Sequence, residues 1–190
     1  MGFLGVEVSP KGFEMEWLKI ETIQDWRPPR NIRGVREFIG FCNFYWRFIK
    51  SFSEIARPLH DLTKVGQLWQ WTENEQHAFD TLKRMICESP VLIHADPEKK
   101  FQMETDSSSY AYGAILSQKV MDNKHHPVAF YSKLMTPAEQ NYSISDKETL
   151  PIVKGLQFWR HWLEGMKEPV RIITDHRNLE YFKNPRPLNR

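Results

Sequence analysis

FQMETDSSSYAYGAILSQKVMDNKHHPVAFYS, residues 101–132, is the stretch that decides the fold class. FQMETDS, AYGAILSQKV and HPVAFYS read as strand-like runs, the last two separated by the turn residues Asp122-Asn123. A lead-in, VLIHA (91–95), precedes them and is set off by Asp96-Pro97. Toward the C-terminus, Ser145 to Glu164 reads as one long helix, Val170 to Thr174 as a buried strand and Leu179 to Phe182 as the start of another helix. Three strands, a helix, a strand and a helix make a mixed α/β layer.

Toward the N-terminus the period changes from strand to helix. Thr72 to Cys87 and Ser53 to Thr63 have helical spacing, and Thr72 with Glu75 forms a capping-box pattern in which each side chain satisfies the other's backbone donor. The most aromatic stretch, Asn31 to Lys50, reads as a single helix with Asn31 as its N-cap. At about 100° per residue, Val35, Phe38, Ile39, Cys42, Tyr45, Trp46 and Ile49 share one broad apolar face. Leu18 to Trp26 is a shorter helix stopped by Arg27-Pro28-Pro29. Residues 3–8 (FLGVEV) and 13–17 (FEMEW) flank Ser9-Pro10-Lys11-Gly12 and read as a hairpin. The class is therefore α+β: a hairpin over 1–17, a helical bundle over 18–90 and a mixed α/β layer over 91–190.

Composition bounds the function. Of 190 residues, 41% are hydrophobic and 13% aromatic, a globular balance rather than a disordered one. No apolar run approaches the roughly 18 residues of a membrane helix, so a membrane partner is not expected. With 26 Lys and Arg against 24 Asp and Glu the net charge is +2, so any nucleic-acid surface has to come from local clustering. Two cysteines, Cys42 and Cys87, exclude a disulfide framework and point to a reducing, intracellular compartment, cytoplasmic or nuclear.

One such cluster stands opposite the apolar face of the aromatic helix. Arg33, Arg36, Gly40, Asn43, Arg47 and Lys50 share that sector, and Phe44 borders it. Cations at both ends of a low middle suit a phosphate backbone, with Phe44 placed to pack on a sugar or base. An ordinary solvated face is the competing reading. Gly40 costs roughly 1 kcal/mol inside a helix, which calls for a close approach, by nucleic acid or by another helix.

Three carboxylates form the second constellation. Asp106 ends FQMETD, Asp175 ends VRIITD, and Glu148 lies near the start of the long helix, within the stripe of Ile152, Leu156, Trp159, Trp162 and Leu163. Singly, each has an ordinary explanation: Glu148 as the capping-box partner of Ser145, each Asp as a turn or cap residue. Together they fit one edge of a sheet. Clustered carboxylates repel unless a divalent cation neutralises them, and hard oxygen ligands suit Mg2+ or Mn2+. Two such ions roughly 4 Å apart activate water and stabilise the leaving oxygen in phosphodiester cleavage.

At these residues the chain resembles the gypsy-type LTR-retrotransposon polyprotein, from the end of the reverse-transcriptase palm through the thumb into the RNase H domain. The matching segments are FLGVEVSPKG (3–12), IQDWRPPRNIRGVREFIGFCNFYWRFIKSFSEIARPL (23–59), FQMETDSSSYAYGAILSQ (101–118), HPVAFYSKLMTPAEQNYSISDKET (126–149) and IITDHRNLEYF (172–182). The resemblance implies a residual palm hairpin over 1–17, a thumb or connection region over 18–90 and a partial, truncated RNase H-like domain over 91–190. GFCNFYWRFI would be the thumb helix that tracks template and primer. Asp106, Glu148 and Asp175 would be catalytic metal ligands that cleave the RNA strand of an RNA–DNA hybrid.

Departures from the family pattern carry expectations of their own. No Tyr-x-Asp-Asp motif occurs, so the resemblance implies no DNA synthesis by this chain alone. The chain stops before the strand and helices that carry the family's fourth acidic residue, and Pro151 stands beside Glu148 where the family has a helix former. Partners implied are an RNA–DNA hybrid or duplex and the remaining reverse-transcriptase domains of a parent polyprotein. The alternative is a catalytically inactive, domesticated or truncated module that binds nucleic acid or protein, with self-association through exposed aromatics.

Overall fold

The structure is a computed structural model, and it describes residues 2–3 and 5–175. The helix expected from Leu179 lies outside the described residues. Turn chemistry sets the N-terminal meander. FLGVEV is two strands rather than one, because Gly5 (φ 80°) turns the chain between β1 (Gly2–Phe3) and β2 (Val6–Ser9). β2 then pairs antiparallel with β3 (Gly12–Met15), Val6 opposite Met15 and Ser9 opposite Gly12. VLIHA does not become a strand of the larger sheet. It joins this hairpin by one bridge, with Phe13 N–H donating to the Leu92 carbonyl at 2.7 Å and Leu92 N–H returning at 2.8 Å.

Gly12 is required at that bridge. Its φ is 142°, and a Cβ there would collide with the Leu92 carbonyl. Gly12→Ala is therefore expected to cost about 2 kcal/mol or more, from backbone strain plus overpacking. A urea melt checks it, and an unchanged midpoint would contradict the clash.

Four helices follow: α1 (Trp17–Gln24), α2 (Ile32–Phe44), α3 (Phe52–Leu62) and α4 (Glu73–Cys87). The caps are the expected ones. Asn31 accepts from Gly34 N–H at 2.9 Å, Thr72 accepts from Asn74 N–H at 3.3 Å, and Glu75 accepts from Thr72 N–H at 2.8 Å. Lys83 on α4 donates to the Gln24 and Trp26 carbonyls at 2.9 and 2.7 Å, closing the end of α1. The aromatic helix is shorter than its period suggests. α2 stops at Phe44, and Trp46–Phe48 is a 3-10 turn. Tertiary anchors override the period here: Tyr45, Phe48, Ile49 and Phe52 are all buried, and the Tyr45 hydroxyl donates to the Gly5 carbonyl at 3.2 Å.

The second sheet contains β4 (Phe101–Ser107), β5 (Ala111–Lys119), β6 (His125–Leu134) and β7 (Arg171–Thr174) in the order β6-β5-β4-β7. β4 pairs antiparallel with β5, β5 antiparallel with β6, and β7 parallel with β4. A bulge at Leu116/Ser117 accommodates Pro127 on the edge strand β6. Between β6 and β7 lie α5 (Pro137–Gln140), α6 (Ile144–Phe158) and α7 (Arg160–Leu163). The single helix expected over 145–164 is thus two, broken at Trp159, which is wholly buried between them. α6 runs through Pro151, although that residue lacks the N–H its turn would use.

β4, β5 and β6 are packed on both faces, whereas β7, expected as a buried strand, is largely exposed at the sheet edge. Phe130 and Ile115 belong with the helical cluster built on Phe38, Tyr45, Phe52, Leu59 and Phe79. Phe101, Met103, Ala114, Leu116 and Trp159 form the other cluster, under α6. Among the described residues no helix is long and apolar enough to cross a membrane. Both cysteines are free thiols, and burial pushes that of Cys42 up to about 12, which keeps it protonated and unreactive at neutral pH.

Candidate functional site

Strand alternation fixes where Asp106 points. A Cβ on Gly155 of α6 would come within 2.8 Å of Met103 Sδ and 3.5 Å of Ala114 Cβ, so Met103 and Ala114 face α6. Thr105 shares that face, whereas Glu104 and Asp106 face the opposite side, toward α3. The partner opposite Asp106 is Gly113, and a Cβ there would stand 3.9 Å from Ser51 Oγ and 3.3 Å from the Tyr131 carbonyl.

Asp175 is delivered by the parallel register. Thr174 pairs with Thr105, and the residue after each is an aspartate. Neighbouring strands lie about 4.8 Å apart, which sets the two carboxylates at the same level. Both line a cavity of about 270 Å3 together with Lys50, Ser51, Glu104 and Tyr131.

Glu148 comes to the sheet from the α6 side. The capping-box reading with Ser145 is overturned: the N-cap is Ser143, whose hydroxyl accepts from Asp146 N–H at 3.2 Å. Glu148 is instead buried, 4% exposed, in one stripe with Pro151 and Gly155. β6 and β7 both run parallel to β4, so α6 must return antiparallel to them. Glu148 lies seven residues before Gly155, about 10 Å along the helix, and Asp106 three residues beyond Met103, about 10 Å along the strand. The helix residue and the strand residue therefore stand at the same end of the sheet, approached from opposite faces. Glu148 is not among the residues lining the Asp106–Asp175 cavity. Among the described residues no group of three or more His, Cys, Asp or Glu is arranged to hold a metal ion.

The donor chemistry of the two aspartates suits a divalent cation, hard oxygens sharing one small cavity. Sequence patterning did not single out Glu104, Ser51 or Tyr131. The period-2 alternation of β4 carried the signal for Glu104, which shares a face with Asp106; Ser51 and Tyr131 arrive only through packing.

The basic stripe is not one helix face. Arg33, Arg36, Gly40, Asn43 and Phe44 are exposed on α2, Arg47 falls in the 3-10 turn, and Lys50 lies beyond it, in the carboxylate cavity. The wheel loses phase where α2 ends. Arg33 pairs with Glu37 at 3.0 Å, Arg36 donates to the Thr63 carbonyl at 3.3 Å, and the Arg47 guanidinium lies 5.6 Å from the Trp46 ring centre. Among the described residues no neighbouring atom lies within 4 Å of where a Gly40 Cβ would stand, so helix packing does not explain that glycine. Asn43, Phe44 and Arg47 also line a groove of about 530 Å3 with Trp46 and Trp162.

Residues 71–172 match the family described as the RNase H-like domain found in reverse transcriptase. The chain is 44% identical over 177 residues to the transposon Tf2-3 and Tf2-4 polyproteins of Schizosaccharomyces pombe, a span covering 93% of this chain and 13% of each relative. The chain thus spans a small part of the length of those relatives. Among solved structures, its fold is similar to the foamy viral protease-reverse transcriptase dRH in complex with double-stranded DNA (TM-score 0.77, 20% identity, 99% of this chain and 32% of that one). It is also similar to the foamy viral protease-reverse transcriptase in complex with RNA/DNA hybrid (TM-score 0.76, 21% identity, 97% of this chain and 25% of that one). At that identity the likeness is one of fold.

Proposed function

The chain belongs to the family of RNase H-like domains found in reverse transcriptase, and from that premise we propose that it is the thumb and RNase H-like part of a retrotransposon polyprotein, binding an RNA–DNA hybrid and cleaving its RNA strand. The observation that carries the catalytic half is the pair Asp106 and Asp175, each following a paired threonine and lining one cavity. Asp106 and Asp175 would hold Mg2+ or Mn2+, with Glu148 contributing from the α6 side of the same sheet end. A bound divalent ion supplies water activation and offsets charge on the leaving oxygen. The chain's own residues grip and orient the duplex. Arg33, Arg36 and Arg47 take phosphates, Gly40 and Asn43 leave room for the backbone to approach, and Phe44 packs on a sugar or base. With both thiols free, an intracellular setting belongs to the same proposal.

One observation favours a second reading, a non-catalytic hybrid-binding module: Asp106 and Glu148 approach the sheet from opposite faces. Both readings require hybrid binding, and salt dependence tests it. Replacing Arg36 and Arg47 together by Ala is expected to lower the slope of log affinity against log salt by about two, since each phosphate contact releases about one counterion. Fluorescence anisotropy with a labelled hybrid reads this out. An unchanged slope would remove these two arginines from the duplex face; whether RNA is cut separates the two readings.

A further inference from the structure

The loop between the 3-10 turn and α3 has no business in the RNase H-like half by sequence, yet it lines the carboxylate cavity. Among the described lining residues Lys50 is the one cation, beside Glu104, Asp106 and Asp175. Its backbone is held firmly. Ile49 and Phe52 on either side of the loop are 1% and 4% exposed. Ser51 carries φ 54°, in the left-handed region that non-glycine residues seldom occupy. Its carbonyl accepts from Glu54 and Ile55 N–H at 3.1 and 3.2 Å, and Ser53 N–H donates to Ser132 Oγ on β6 at 3.0 Å. A disfavoured backbone maintained by its surroundings directs attention to what it positions.

That is Lys50, which is exposed and lines a cavity rich in carboxylates. Such a cavity repels a polyanion. An exposed lysine in its lining offers a phosphate a compact cationic contact beside the aspartates. We infer that Lys50 is a substrate-positioning residue supplied by the helical segment to the carboxylate cavity, binding a phosphodiester of the strand beside the Asp106–Asp175 pair. The inference rests on the proposed function and adds to it a group that acts across the two halves of the chain. It also takes Lys50 out of the α2 stripe.

The test uses the full chain and a labelled RNA–DNA hybrid in EDTA, where no cleavage intervenes. Lys50→Ala is expected to weaken binding about fivefold at low salt and to reduce the salt slope by about one, with Lys50→Arg restoring most of both. Because Lys50 and Asp106 share the cavity, the effects of Lys50→Ala and Asp106→Asn on affinity are expected to depart from simple multiplication by more than about twofold. With Mg2+ present, Lys50→Ala is expected to raise KM more than it lowers kcat. An unchanged salt slope, or independent effects of the two substitutions, would overturn the assignment while leaving hybrid binding by the parent chain intact. A parent chain that binds no hybrid would overturn this inference and the proposed function together. Lys50 is exposed, so an unaltered near-ultraviolet spectrum is the fold control.

Discussion

Asp106→Asn is expected to lower metal-dependent cleavage of the RNA strand by at least about 100-fold while hybrid binding in EDTA holds or tightens. Asparagine keeps the size and one oxygen of the carboxylate but removes the charge that holds a divalent ion. The transition-state stabilisation such an ion supplies is several kcal/mol, and each 1.4 kcal/mol is about tenfold in rate. Asp106 is exposed at the end of β4, so its loss does not empty a core site, and melting is expected to stay within about 0.5 kcal/mol of the parent. Binding should not suffer, because the substitution removes a negative charge that faces the strand. Cleavage of an end-labelled hybrid with Mg2+, with Mn2+ and in EDTA makes the comparison. Cleavage that persists in EDTA, or at parental rate in Asp106→Asn, would take Asp106 out of the reaction. A parent chain that binds hybrid and cuts nothing would select the non-catalytic reading.

The largest loss of stability is expected at Trp159. Its side chain is wholly buried where α6 gives way to α7, with its ring 6.2 Å from that of Tyr131 and 6.0 Å from that of Phe158. It also closes the space that Gly155 leaves, where a Cβ would lie 3.5 Å from the indole. Trp159→Ala is expected to cost about 3–5 kcal/mol through lost burial and the cavity left behind. Set against a typical domain stability of about 5–15 kcal/mol, that weakens the whole α6-side layer, Glu148 included. Urea unfolding followed by circular dichroism measures it. Trp69→Ala is the control: Trp69 is 38% exposed and stacks on Trp71 at 5.8 Å, so its loss should cost well under half as much. Equal losses at the two positions would mean that Trp159 does not close the core.

The helices of residues 18–90 were legible because their signals are local. Asn31, and Thr72 with Glu75, cap the helices that their spacing predicts. The same holds for the strands FQMETDS, AYGAILSQKV and HPVAFYS, whose runs and turn residues are short-range features. Legibility failed wherever a distant partner outbid the local pattern. Tyr45 leaves the helical path to be buried and to reach the Gly5 carbonyl, which ends α2 and takes Arg47 and Lys50 off the stripe. Trp159 breaks the long helix for the sake of burial, and Leu92 bonds to Phe13 instead of lengthening a strand. At Glu148 the S-x-x-E spacing pointed to Ser145 as the cap, a local pattern that the structure does not use. The cap used is Ser143, and the glutamate turns to the sheet.

Unaided, the sequence determined the class of fold, the main helices and strands and the family, since those follow from periodicity, capping and motifs carried within a few residues of one another. Only the tertiary structure decided that Asp106 and Asp175 share a cavity, that Glu148 comes from the other face, and that Lys50 sits with the aspartates. Those relations depend on strand register and on which face of a sheet is covered. A one-residue change of register would reverse every side chain, and a long-range pairing fixes it by packing energy rather than by local preference.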